Sequence, residues 1–142
     1  WELDMLDECY DHVDFVSLHT YYQTPLEDPA RALAQPEQMG RFITDVAALC
    51  DAAGARRKSK RRLMLSFDEW NVWTTIPKDF STPAWSVAPP LLEQVYNVLD
   101  ALVVGGMGLA LLNHADRVRV ACLAQLVNVI APIMTRTGGP AW

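Results

Sequence analysis

The sequence predicts an α/β fold with parallel strands. Two observations carry this. Runs of β-branched and aromatic residues alternate with longer stretches of helical periodicity. The two clearest strand runs, VDFVSLH and LMLSF, are apolar without clean alternation, as strands covered on both faces are.

The elements follow in order. Residues 1–11 finish an earlier helix. Residues 13–22, VDFVSLHTYY, form the first strand. Met39, Phe42, Ile43, Val46, Leu49, Cys50 and Ala53 recur at helical spacing, so residues 36–53 form a helix, with Pro36 in its first turn and Gly54 as its stop. Residues 62–69 form the second strand. Pro90 opens a helix that runs from Leu91 towards Asn113, and residues 118–127 form a third strand. No internal repeat is visible. Gly105, Gly106 and Gly108 lie inside an apolar helical stretch without a strand-turn context, which reads as close helix packing and not as a nucleotide loop.

Composition narrows the function classes. A chain of 142 residues, 51% hydrophobic and 20% charged, is globular. A net charge of −5 disfavours nucleic acid and anionic membrane as partners. The run ARRKSKRR, residues 55–62, holds six of the twelve Lys and Arg residues. It lacks interleaved aromatics for base stacking and follows a helix C-terminus, where cations suit the dipole, so it reads as a solvated loop. Cys9, Cys50 and Cys122 are odd in number, widely spaced and set among apolar residues, as reduced core thiols of a cytoplasmic protein are. The apolar stretch at residues 101–113 is too short to cross a bilayer.

Chemistry collects at the C-terminal ends of parallel strands. The first strand ends in His19, Tyr21 and Tyr22, the second in Asp68 and Glu69 with Trp70, Asn71 and Trp73 behind them, and the third near Gln125 and Asn128. Side chains alternate across a strand, so Asp68 and Glu69 are expected on opposite faces, and the pattern leaves open which faces the site. A loop cap plus a surface acid is the bland reading of such a pair. Tryptophans beside a carboxylate favour carbohydrate, because indole offers a rigid apolar surface to the apolar face of a sugar ring. His19 has no second histidine at ligand spacing, so no metal site is expected, and no cofactor. No GxSxG nucleophile elbow occurs.

SLHTYY (17–22), SFDEWNVW (66–73), VAPPLLEQVYN (87–97), DALVVGG (100–106) and HADRVRVACLAQLVNVIAPIMT (114–135) together resemble the family 51 glycoside hydrolases, the α-L-arabinofuranosidases. The likeness spans nearly the whole chain in order. It implies a partial (β/α)8 TIM barrel, about the last three β/α units (strands 6 to 8). Residues 1–142 would then be the C-terminal portion of a glycoside hydrolase catalytic domain, with the upstream half-barrel and a downstream β-sandwich absent.

The same resemblance implies residue roles. Glu69 matches the catalytic nucleophile, which would put Glu69 inward and Asp68 outward. Tyr21 would orient the nucleophile. His19, Trp73 and Gln125 would bind substrate, an arabinofuranosyl oligosaccharide. Trp85, in the loop before VAPP, lies in the region expected to face the aglycone and receives no role. The family's acid/base glutamate follows an asparagine, and no Asn-Glu pair occurs in these residues. The chain alone is therefore expected to be inactive, and the full-length enzyme to be a homo-oligomer. A related endo-glucanase or xylosidase of the same barrel clan would keep Glu69 in its role, whereas a non-catalytic sugar-binding remnant would not need it.

Overall fold

The computed structural model describes residues 1–73, 85, 87 and 93–142. In chain order the elements are α1 (Glu2–Cys9), a 3-10 turn (Tyr10–His12), β1 (Phe15–Tyr22), α2 (Pro29–Leu33), α3 (Gln35–Arg56), β2 (Met64–Val72), α4 (Val98–Asn113) and β3 (Val118–Leu123). The strands form one parallel sheet in the order β1-β2-β3. The α/β class expected from the alternating pattern is what the chain adopts.

One face of the sheet is the core. Val16, Leu18, Tyr22, Leu65, Phe67, Trp70 and Val72 pack against Met39, Ile43, Val46 and Cys50 of α3 and Val103, Met107 and Leu111 of α4. The other face carries Ser17 and His19, both exposed. Along the first five residues of β1 exposed and buried positions alternate strictly, so among the described residues the sheet is covered on one side and not on both. The aromatic content of VDFVSLH had masked a period-2 pattern.

Several boundaries differ from the sequence reading. The helix ending near residue 53 continues to Arg56, and Gly54 is not its stop. A Cβ on Gly54 would lie 2.5 Å from Tyr10 Oη, so this glycine admits the phenol of the 3-10 turn. The Asp28-Pro29 pair starts the short α2 that hydropathy did not suggest, with Asp28 Oδ1 accepting from the Arg31 amide at 3.0 Å. The last long helix begins at Val98 and not after Pro90, because Asn97 and Asp100 form a reciprocal capping box. Pro90 and Leu91 themselves lie outside the described residues. The third strand stops at Leu123. Gly106 has the close-packing role expected of it, since a Cβ there would meet Pro36 Cγ at 2.6 Å, but Gly105 and Gly108 face open space. Cys50 is buried and Cys9 partly so, whereas Cys122 is exposed and is no core thiol; all three are free.

The basic run clamps the N-terminal ends of the strands. Arg61 donates to the carbonyls of Tyr10 and Val13 and to Asp14, Arg62 pairs with Asp116, and Arg56 and Arg57 pair with Asp7. Arg117 is buried beneath them, donating to Asp51 Oδ2 at 2.7 Å and to Leu63 O at 3.1 Å. Among the described residues no helix is long and apolar enough to cross a membrane.

Candidate active site

A fault in strand pairing builds the site. Between Ser17 and His19, β1 advances two residues while β2 advances three, from Ser66 to Glu69. The same excess appears against β3, where Phe67 to Trp70 spans Ala121 to Leu123. The extra residue is a β-bulge at Asp68, and bulges re-aim side chains. Phe67 and Trp70 both stay in the core, so the two residues between them turn to the opposite face.

Asp68 and Glu69 therefore share one side of the sheet. Asp68 Oδ1 accepts from Ser17 Oγ at 2.7 Å and lies 3.2 Å from His19 Nε2. Glu69 Oε2 lies 3.4 Å from His19 Nδ1, and Glu69 Oε1 accepts from Tyr21 Oη at 2.7 Å. This corrects the expectation that alternation puts Asp68 and Glu69 on opposite faces, and with it the outward placement of Asp68 that the resemblance implied. Alternation holds only for a regular strand, and the bulge suspends it at this position.

The electrostatics follow from the contacts. Burial, then the Glu69 hydrogen bond and charge, push the Tyr21 phenol up to about 12, so it remains a donor at any ordinary pH. For Asp68, desolvation acts to raise the carboxyl, but it is outweighed by the Ser17 hydroxyl, its own backbone amide, the His19 ring and Ser66, and the net direction is down. Asp68 is thus an anion at neutral pH. No group of three or more His, Cys, Asp and Glu side chains suited to a metal occurs among the described residues.

The remaining sequence candidates surround this centre unequally. Trp73 sets its ring edge-to-face on Tyr21, centroids 5.3 Å apart, and its amide donates to Tyr22 O. Gln125 follows β3 directly, after Ala124, whose amide donates to Trp70 O at 3.1 Å. Among the described residues no hydrogen bond joins its side chain to His19, Tyr21 or Glu69. Trp85 is fully exposed, and the loop around it lies outside the described residues.

Asn71, present at the strand end in the sequence but given no role there, turns out to be structural. It is buried, and its two amide protons go to Ala124 O and Ile130 O, each at 2.6 Å. The Tyr96 hydroxyl closes the cluster by donating to Val72 O at 3.2 Å. Asn71 therefore ties the end of β2 to the segment that carries Gln125. An asparagine in an otherwise apolar strand end was the available signal.

The parallel sheet thus presents two carboxylates, a histidine and a tyrosine near the C-terminal ends of its first two strands, edged by tryptophan. Residues 68–142 match the family described as the alpha-L-arabinofuranosidase C-terminal domain, and the chain belongs to that family. The chain is 57% identical to the intracellular exo-alpha-(1->5)-L-arabinofuranosidase of Halalkalibacterium halodurans and 56% identical to that of Streptomyces lividans. Each match covers 100% of this chain, but the chain spans only 29% and 22% of those relatives. Among solved structures, a family 51 alpha-L-arabinofuranosidase from Bifidobacterium longum superposes with a TM-score of 0.87 at 41% identity, over 100% of this chain and 30% of that one. An alpha-L-arabinofuranosidase from Thermotoga maritima, solved with arabinose, gives a TM-score of 0.76 at 28% identity, over 98% of this chain and 26% of that one.

Proposed function

We propose that this chain supplies the nucleophile half of a retaining exo-α-L-arabinofuranosidase. The observation that carries the reading is the Glu69 carboxylate, held at one oxygen by Tyr21 and approached at the other by His19. A nucleophilic carboxylate must be ionised, oriented and reachable, and this one is partly exposed on the open face of the sheet. The names of the relatives supply the sugar class.

In the proposed reaction Glu69 attacks the anomeric carbon of a terminal arabinofuranosyl unit as the bond to the leaving oxygen breaks. A second carboxyl group, about 5–5.5 Å from the first in retaining enzymes, gives the leaving oxygen its proton. Water then displaces Glu69 and returns a proton to that second group, so arabinose leaves with retained configuration. Tyr21 orients Glu69, while His19, Trp73 and Gln125 line the sugar site.

The sheet is read as the last three β/α units of a (β/α)8 barrel whose interior face is the one bearing Glu69. Its three parallel strands and outer helices support that reading. The second carboxyl group belongs to another part of the intact enzyme, because no Asn-Glu pair occurs here. The isolated chain is accordingly proposed to lack turnover on natural arabinosides, since general-acid assistance is worth about 10²–10⁴-fold. The intact protein is proposed to work in the cytoplasm as a homo-oligomer on arabinofuranosyl oligosaccharides.

The test is Glu69→Ala in the intact enzyme, assayed on an aryl arabinofuranoside with and without azide. Loss of several orders of magnitude in rate, with azide restoring turnover to a glycosyl azide of inverted configuration, is the expected result. Near-normal activity in Glu69→Ala would sink the assignment.

A further inference from the structure

Both nitrogens of His19 face carboxylates. Nε2 lies 3.2 Å from Asp68 Oδ1 and Nδ1 lies 3.4 Å from Glu69 Oε2. An ionised carboxylate only accepts, so a bare ring nitrogen beside one is repelled, and the ring suits both neighbours only with a proton on each nitrogen. The bulge that turns two successive acids to one face is what creates this requirement.

We propose that Asp68 is a positioning residue: anchored by Ser17, it holds His19 as a cation between itself and Glu69, and His19 in turn fixes the second oxygen of the nucleophile. The proposal rests on Glu69 being the nucleophile. Asp68 touches no reacting atom. Its effect runs through His19, which offsets the repulsion between neighbouring carboxylates in the resting enzyme. When Glu69 is esterified its charge is lost, and Asp68 alone then keeps the His19 cation in place. That cation is what meets the carboxylate as it is released in the second step. No proton needs to move through His19 in either step.

The groups that face the ring are few. Asp68 and Glu69 approach from β2, and Tyr21 and Ser17 lie on its own strand. Among the described residues no hydrogen bond or ion pair joins it to β3, which lies beyond β2. The Tyr21 phenol is pushed up to about 12 and does not titrate in the working range. Among the described residues the charged groups at the ring are therefore these two carboxylates.

The experiment uses the intact enzyme and an aryl arabinofuranoside whose leaving group departs without protonation, so that the alkaline limb of kcat/KM does not report the acid/base group. Asp68→Asn keeps shape and acceptor but removes the charge. It is expected to lose about tenfold in kcat and to move the alkaline limb to lower pH. Ser17→Ala, which leaves both acids in place, is expected to move the limb in the same direction by less. In the wild type, ¹⁵N-histidine spectra assigned through His19→Gln are expected to show both ring nitrogens protonated at the pH of maximal rate. A profile unchanged in shape in both variants, or a lone-pair nitrogen in that spectrum, overturns the proposal. Glu69→Ala with azide, run alongside, separates the two readings: unrescued or undiminished activity there sinks the nucleophile assignment and not merely the role of Asp68.

Discussion

The hydroxyl of Tyr21 donates to Glu69 Oε1 across 2.7 Å, joining residues 48 apart in sequence. Neighbouring parallel strands make this possible: His19 pairs with Glu69, so Tyr21 stands two residues further along, on the same face. Its ring is held in turn by the edge of Trp73. Tyr21→Phe keeps the ring contact and removes only the donor. A hydrogen bond to a charged group contributes about 1.5–3 kcal/mol, which corresponds to about 10–100-fold in rate if the bond is made in the transition state. In the intact enzyme kcat on an aryl arabinofuranoside is expected to fall within that range while the melting temperature barely moves. A kcat unchanged by Tyr21→Phe would remove Tyr21 from the machinery.

The phenols also set an alkaline limit on stability. Burial comes first among the causes that raise Tyr21, Tyr22 and Tyr96 to about 12 from an ordinary value of 10.0. Unfolded, the three release their protons near the ordinary value, whereas the folded chain retains them. Stability is therefore independent of these groups below that value and falls as pH rises from about 10 towards about 12. Urea midpoints taken across this window are expected to decline. Glu69→Gln removes a charge that helps raise Tyr21, so ¹³Cζ tyrosine spectra are expected to show Tyr21 ionising at lower pH in that variant. Midpoints that hold constant through the window would contradict the assignment of the buried phenols.

Much of this was legible from residues alone, and the misses share a cause. The alternation of strands and helices and the gathering of His19, Tyr21, Glu69 and Trp73 at one end follow from local pattern, because strand direction and side-chain period are local properties. Asp68 was misplaced because a bulge is a mismatch between two strands and leaves no mark in either one's hydropathy. The start of α4 was misjudged for the opposite reason. Pro90 was allowed to outweigh a local signal, the Asn97-to-Asp100 capping box, that was present all along. Asn71 received no role because its partners, Ala124 and Ile130, lie in a segment whose path no spacing rule supplies.

Gly54 shows how such a long-range contact governs a residue that read as a helix stop. A Cβ there would sit 2.5 Å from Tyr10 Oη, and that hydroxyl is fixed by its bond to Arg61 O at 2.9 Å. In an open helical site Gly→Ala would stabilise, but here overpacking costs about 1–3 kcal/mol. Gly54→Ala is expected to lower the urea midpoint of the intact enzyme. Tyr10→Phe removes the obstructing oxygen, so the double variant is expected to lose less than the sum of the two single changes. Strict additivity would show that the backbone yields and that the contact is not rigid.

Asn71 should separate binding from chemistry. Its side-chain amide donates to two buried carbonyls in the segment that carries Gln125, and although its backbone pairs with Tyr21, among the described residues no hydrogen bond joins its side chain to Glu69 or Tyr21. Asn71→Ala leaves Ala124 O without its donor at a cost of about 1–3 kcal/mol, leaves Ile130 O with the Gln125 amide alone, and loosens the segment. Under the proposed placement of Gln125 in the sugar site, the binding wall is loosened while Tyr21 still holds Glu69. KM for an aryl arabinofuranoside is then expected to rise by about tenfold or more with a smaller fall in kcat. Asn71→Asp is expected to be worse than Ala, because it places a carboxylate against two carbonyl oxygens in a buried site. If kcat falls and KM holds in Asn71→Ala, the segment acts on Glu69 and not on the sugar, and Gln125 loses its place in the binding site.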